Sequence, residues 1–413
     1  MLRNYLKVAV KVLLRRKFFT FISLVGIALT LLVLMVATAV ADHALAPMRP
    51  ELRSDRMLFI SRMVLRGPNS TWSSAAGYAF LDKYIRTLPD VEGVALATEP
   101  QTAVGFVDGV KITSMMRRTD GAFWQLMDFE FVEGGPFTAD DDREARRVAV
   151  INETTRQRYF GRAPALGRDL EVENQTFRVV GVVRDVPFSR PVSFSDVWVP
   201  ISTARSDGYK REIMGNFYGI ILAHQRADRR GIQAEVQRRI KEVPIPDPKE
   251  YDDLYGGADT PFEWVARNAL SSTDDDSHAS WLSGIMVLAM LLFMLLPTLN
   301  LINLNLSRIL ERASEVGVRK AFGASSRTLI GQFIVENVVL TFVGGAVGLV
   351  LSALALAALN RSGIIPYSQF DLNLRIFAYA VLLALFFGVL SGVYPAWRMS
   401  RLHPAEAIRG GRK

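Results

Sequence analysis

The chain has 413 residues, 50% hydrophobic and 22% charged, with a formal net charge of +8 and no cysteine. This composition excludes a wholly disordered chain. The lack of cysteine excludes disulfides, thiolate nucleophiles and cysteine-ligated zinc or iron–sulfur centres.

Residues 1–17 set Arg3, Lys7, Lys11, Arg15, Arg16 and Lys17 among Leu2, Leu6, Ala9 and Leu13, without an acid. The pattern reads as an amphipathic helix at an anionic membrane surface or as a plain basic flank. Residues 18–41 carry no formal charge; as a helix they would be about 36 Å long, enough to cross a hydrocarbon core of about 30 Å. The basic start and the Ala39-Val40-Ala41 ending also fit a cleavable export signal, but the apolar core is long for one.

Residues 42–280 hold 31 bases and 36 acids, enough chain for one large domain or two smaller ones. Strands are expected at Met57–Val64 and Val91–Ala97 with a helix at Ser74–Thr87 between them. Further strands are expected at Lys111–Met116, Arg147–Ile151, Leu170–Glu173, Phe177–Val183, Val197–Ile201 and Phe217–Ala223, and a charged surface helix at Arg226–Ile240. Asp185–Pro191 and Pro244–Pro248 break regular structure, and either could bound a subdomain. Ser271–Ser277, with Asp274, Asp275 and Asp276, reads as a hydrated lead into the next apolar run; three adjacent acids lack the spacing of a calcium loop.

Residues 281–306, 331–359 and 376–397 complete four expected transmembrane helices, joined by a cytoplasmic segment (307–330) and a short extracytoplasmic loop (360–375) and closed by a tail (398–413). Arg308, Arg312, Arg319, Lys320 and Arg327 fall in the first connection and Arg398, Arg401, Arg409, Arg412 and Lys413 in the tail, against only Arg361 and Arg375 in the loop. The positive-inside bias then places both termini in the cytoplasm and residues 42–280 outside. Pro297 could kink the second span, with Asn300, Asn303 and Asn305 serving backbone or interhelix donors, and Glu336 marks a boundary or polar seam. Gly344 with Gly348, and Gly388 with Gly392, are G-x-x-x-G pairs suited to close helix packing, within the chain or at a dimer seam.

No G-x-x-x-x-G-K-[ST] sequence is present, so the chain is not expected to hydrolyse ATP or to bind a cofactor. His43, His224, His278 and His403 form no ligand pair, and the basic runs lack the aromatic interleaving of a nucleic-acid surface. In the segment from Leu310 to Ser325, Glu315 can approach Arg319 at i+4, and Gly317 and Gly323 permit bends or close approach. A docking helix for a cytoplasmic partner and a capped membrane turn both fit these residues.

The run Glu311-Arg312-Ala313-Ser314-Glu315-Val316-Gly317-Val318-Arg319-Lys320-Ala321-Phe322-Gly323-Ala324-Ser325 resembles the cytoplasmic motif of the FtsX-like permease family, in its macrolide-exporter-like branch of bacterial ABC transporters. Pro395–Arg409 resembles the end of that family's last span and tail, and Gly134-Gly135-Pro136-Phe137, Tyr159-Phe160-Gly161 and Phe177-Arg178-Val179-Val180-Gly181-Val182 extend the likeness through the outer segment. The resemblance implies a four-span α-helical membrane protein of the bacterial inner or plasma membrane, with a mixed α/β periplasmic core domain inserted after the first span. It implies two cytoplasmic ABC ATPase subunits that use ATP and magnesium, and a second copy or a paralogous permease. A periplasmic adaptor and an outer-membrane channel are optional further partners. Glu311, Arg312, Glu315, Val316, Gly317, Arg319, Lys320, Phe322 and Gly323 would then form the ATPase-coupling segment. The expected function is efflux of peptides, antibiotics or amphiphiles. The alternatives are force transmission to an envelope enzyme or lipoprotein pathway, and a noncatalytic scaffold.

Overall fold

The computed structural model describes residues 11, 13–15, 17–107, 109–292, 295, 326–364 and 366–400. Most of the basic N-terminal segment, the second apolar run beyond residue 295 with Pro297, Asn300, Asn303 and Asn305, the segment 307–325, and the tail from residue 401 with His403 lie outside the described residues. The chain forms two compact units, Met1–Asp42 with Gly284–Ile364 and Phe370–Lys413, and His43–Ser283 with Ile365–Gln369.

In chain order, α1 (Lys17–Leu45) has 29 residues and is apolar enough to cross a membrane. The α/β unit follows with β1 (Met57–Ile60), β2 (Met63–Arg66), β3 (Thr71–Ala76) and a short helix α2 (78–85) that begins α-helical and widens to a π turn. Next come β4 (Val91–Thr98), β5 (Gln101–Val107), β6 (Val110–Thr119), α3 (Gly121–Leu126), β7 (Phe131–Gly134) and α4 (Ala139–Arg143). The middle of the unit is β8 (Val148–Asn152), α5 (Glu153–Phe160), β9 (Asp169–Val172), β10 (Gln175–Val183) and β11 (Val197–Pro200). It ends with β12 (Met214–Gly215), β13 (Phe217–Ala223), α6 (Arg229–Lys241), β14 (Asp253–Gly256) and α7 (Pro261–Ala269). Among the described residues three further helices follow, α8 (Ala279–Leu292), α9 (Ser326–Ser362) and α10 (Leu374–Ser400).

The strands follow the hydrogen-bonded order β14-β2-β3-β13-β4-β6-β11-β8-β10-β7, with β1, β12, β5 and β9 joined to β13, β3, β6 and β10. All seven residues of β13 are buried, because side chains alternate across a strand and both of its faces are covered. Ile221 and Ala223 enter one core with Leu58, Ile60, Phe80 and Val236, while Ile220 and Leu222 enter another with Met57, Phe59, Phe123 and Trp198. A third core gathers Leu170, Val172, Phe177, Val179 and Val197.

Two expectations need correction. Met57–Val64 is not one strand: it breaks at Ser61-Arg62, where the chain stops pairing with β13 and begins pairing with β3 and β14. The region Ser74–Thr87 is not one helix, since its start belongs to β3 and the helix begins at Tyr78. Cross-strand pairing of Ser73 and Ser74 with Val64 and Met63 overrides local preference there. Asp185–Pro191 and Pro244–Pro248 are loops between β10 and β11 and between α6 and β14.

In the helical unit, α1, α9 and α10 meet around Ile27, Leu31, Leu340 and Ala380. Among the described residues, Lys17–Leu45 and Ile334–Ser362 are long and apolar enough to cross a membrane, and Ala279–Leu292 and Leu374–Phe386 are shorter apolar helices. Val350, Leu354, Leu382 and Phe386 remain exposed, as suits surfaces solvated by lipid. The hydroxyls of Thr30, Thr341 and Ser352 donate to carbonyls of their own helices, Gly26, Asn337 and Gly348, at 2.7, 2.9 and 2.7 Å. Polar groups in a bilayer need such internal partners.

Two glycines of the quoted motifs face each other, Gly134 of β7 opposite Gly181 of β10. A Cβ on Gly134, whose φ is +64°, would lie 2.2 Å from the Val180 carbonyl oxygen. Gly134→Ala is expected to destabilise the full chain by about 1–3 kcal/mol, read as a lowered midpoint of unfolding in detergent. An unchanged midpoint would show that the strand pair can shift at no cost.

Asp120 ends β6 and caps α3: its Oδ1 accepts from Phe123 N at 3.0 Å, and its Oδ2 from Leu96 N at 3.1 Å and Arg86 Nη1 at 3.0 Å. Burial outweighs these bonds and the Arg86 charge, and pushes the carboxyl up to about 6. A carboxyl raised in the folded state stabilises it fully below the unfolded value of about 4, and that contribution is lost as pH rises through about 6. The melting temperature of the wild type relative to Asp120→Asn should therefore rise between pH 7 and pH 5; a fall would mean that the Arg86 pair dominates.

Candidate functional site

The expected coupling residues Glu311, Arg312, Glu315, Val316, Gly317, Arg319, Lys320, Phe322 and Gly323 lie outside the described residues. Gly388 and Gly392 fall within α10. Gly344 and Gly348 lie one turn apart on α9, against α1. A Cβ on Gly344 would stand 2.8 Å from Ile27 Cγ2, and one on Gly348 would stand 3.1 Å from Leu31 Cβ and 3.3 Å from Ala28 Cα. A side chain at Gly344 would require Ile27 to shift, and one at Gly348 would require α1 to give by a few tenths of an ångström, so the small residues favour this close approach. Nearby on α9, Glu336 is buried and its Oε1 accepts from Gln332 Nε2 at 3.0 Å.

In the α/β unit, Asp274, Asp275 and Asp276 of the lead Ser271–Ser277 are exposed, in keeping with the hydrated segment expected there, but the segment is also anchored to the protein. Ser272 and Ser277 are buried, and the segment winds around the buried guanidinium of Arg267, which α7 presents. Arg267 binds Asp259 through Nε at 2.6 Å and Nη2 at 3.0 Å. It also donates to the carbonyls of Asp274 at 2.6 Å and Asp275 at 3.2 Å. Burial pushes the Asp259 carboxyl up in spite of this pairing. Asp259 is tied in turn to Phe59 of β1 by two backbone bonds of 2.8 and 2.9 Å. The acids of the run point elsewhere, Asp274 to Arg66 at 2.9 Å. The acid side chains face solvent, as their clustering suggests, while their backbone carbonyls, invisible in a sequence, are what the arginine reads.

A cavity of about 250 Å³ in the same unit is lined by Arg62, Glu99, Tyr218, Trp264 and Asn268, among others. Tyr218 Oη donates to Glu99 Oε1 at 3.1 Å, and burial drives the phenol's pKa upward. Among the described residues no group of three or more His, Asp or Glu side chains could hold a metal ion.

The family model of the MacB-like periplasmic core domain matches residues 20–239, more than half of the chain, and that of the FtsX-like permease C-terminal region matches residues 287–404. The chain is 26% identical over 296 residues to the macrolide export ATP-binding/permease protein MacB of Bdellovibrio bacteriovorus, covering 70% of this chain and 42% of that one. It is 27% identical over 415 residues to the pyoverdine export ATP-binding/permease protein PvdT of Pseudomonas syringae pv. tomato, covering 98% and 59%. The chain thus spans about half the length of these relatives. The solved periplasmic region of MacB from Actinobacillus actinomycetemcomitans aligns with 44% of this chain and 83% of its own, at 14% identity and a TM-score of 0.35.

If the glycine seam sets the distance between α1 and α9, Gly348→Leu should cost about 1–3 kcal/mol through overpacking. It should also lower the yield of a disulfide engineered between the two helices, a clean assay in a chain with no cysteine of its own. Undiminished crosslinking would show that the helices approach each other by other means.

Proposed function

Because this chain belongs to the family built from a MacB-like periplasmic core domain and an FtsX-like permease C-terminal region, we propose that it is the permease subunit of an ATP-driven ABC exporter. Its part is to convert ATP hydrolysis on separate cytoplasmic subunits into conformational change of an extracytoplasmic domain. The observation that carries the reading is the joining, in one chain, of the periplasmic core match to the FtsX-like match.

In this reading the four apolar runs at 18–41, 281–306, 331–359 and 376–397 all cross the bacterial inner or plasma membrane, with both termini cytoplasmic. Residues 307–330 contact the ATPase, and Glu315, Arg319 and Lys320 supply the polar part of that contact. Two ATPase subunits and a second permease, identical or paralogous, complete the core assembly, and ATP and magnesium are used by the ATPase. A periplasmic adaptor and an outer-membrane channel extend it. Two relatives are named for export of macrolides and of pyoverdine, which supports amphiphiles, antibiotics and peptides as the cargo class here.

Glu315→Lys reverses a charge in the proposed contact. It is expected to lower permease-dependent stimulation of the ATPase by about tenfold, the factor that about 1.4 kcal/mol of lost contact energy produces, while membrane insertion is unchanged. Stimulation equal to wild type in a normally assembled complex would exclude Glu315 from the coupling.

A further inference from the structure

The loop between β10 and β11 carries Arg190, which is 1% exposed. Its Nη1 donates to Glu51 Oε2 at 3.3 Å and its Nη2 to the carbonyl oxygen of Ala46, the residue that follows α1. Ser193 of the same loop donates its hydroxyl to Glu51 Oε1 at 2.7 Å. The chain leaving α1 is therefore held by both oxygens of one buried carboxylate and by its own backbone.

A second segment is held by the same loop. Residues 366–367 belong to the connection between α9 and α10, yet Pro366 accepts from Phe188 N at 3.2 Å, and Tyr367 Oη donates to Asp196 Oδ1 at 2.9 Å. Tyr367 has φ +59°, a left-handed conformation that is unfavourable for an aromatic residue and persists only where surrounding contacts impose it. Its ring packs on Phe194 of the loop, with centroids 6.3 Å apart.

The loop is in turn fastened to the sheet. Asp196 Oδ2 accepts from Met115 N of β6 at 2.8 Å, and its Oδ1 from Asn152 Nδ2 of β8 at 3.0 Å. Arg117 of β6 donates to the Pro191 carbonyl. Asp185 accepts from the N and Oγ1 of Thr154 in α5 at 3.0 and 2.8 Å.

We propose that the loop of residues 184–196 is the joint that passes displacement of α1 and of the α9–α10 connection into the β6–β8–β11 part of the sheet, with Arg190 and Tyr367 as its positioning residues. The inference rests on the transmission reading above and adds to it the place where transmission enters the α/β unit. Directional bonds between buried groups resist sliding where apolar packing would permit it, and the loop carries them on three sides.

The test uses the full chain in the complex purified from its native membranes with its ATPase and placed in lipid nanodiscs. Hydrogen exchange of β6, β8 and β11 is compared with and without ATP and magnesium for the wild type, Tyr367→Phe, and the paired Arg190→Met/Glu51→Gln, which removes both members of the buried ion pair together. Both variants should keep wild-type ATP hydrolysis and wild-type exchange without nucleotide. Their nucleotide-dependent change in these strands should fall by about fivefold or more, the lower end of a typical coupling between sites. Tyr367→Phe removes one hydroxyl, so it remains informative if the paired variant fails to fold. A wild type that responds to nucleotide, with Tyr367→Phe responding equally, overturns the joint alone. A wild type in which ATP is hydrolysed and these strands do not respond overturns the transmission reading, and the joint with it.

Discussion

A guanidinium removed from water must be met by acceptors, or its burial costs more than its contacts return. Much of the α/β unit's irregular structure answers that demand. Arg190 draws Glu51 and the Ala46 carbonyl to it, and Arg267 draws Asp259 and the carbonyls that precede α8. Arg117 is served least well: it meets the Pro191 carbonyl and the Tyr218 ring, its Nε and Nη1 have no hydrogen-bond partner among the described residues, and burial lowers its pKa to about 10. Such groups contribute little net stability, but they specify geometry, because any displacement leaves a charge unsatisfied.

Close backbone approach is the complementary device, and it appears in both units. Gly344 and Gly348 admit Ile27, Ala28 and Leu31 of α1 to the surface of α9. Gly134 and Gly181 do the same for β7 and β10, and Gly105 leaves room for the Tyr159 hydroxyl. Two of the outer motifs that carry the family resemblance share one core, which holds Tyr159 with Phe177, Val179 and Val182, while Phe137 of the third fills another core beside Trp124, with ring centroids 5.3 Å apart.

What could be read in advance follows from how strongly each element declares itself locally. β4, β10 and β13 are apolar runs buried on at least one face, and each was legible within a residue or two of its ends. The strands β5, β7, β12 and β14 were not, being short, polar or glycine-containing, and defined by the neighbour they pair with. One signal was present and passed over: Thr260-Pro261 followed by Glu263 is a capping box with proline at the first helical position, and it opens α7. Recognising α7 would have placed Arg267 on a helix facing the aspartate run. Nothing local could have paired Arg190 with Glu51 or Tyr367 with Asp196, which lie 139 and 171 residues apart.

The sequence by itself determined the apolar lengths, the sidedness expected from the bases, the glycine spacing on α9 and the mixed α/β character of the outer segment. These are properties of composition and period, which each stretch of chain carries alone. Only the tertiary structure decided which helix the α9 glycines meet, how β1 and β2 divide one apolar run between two pairings, and which buried arginine holds which carbonyl. Those outcomes depend on groups distant in sequence satisfying one another where water is excluded, and that condition exists only after the chain has folded.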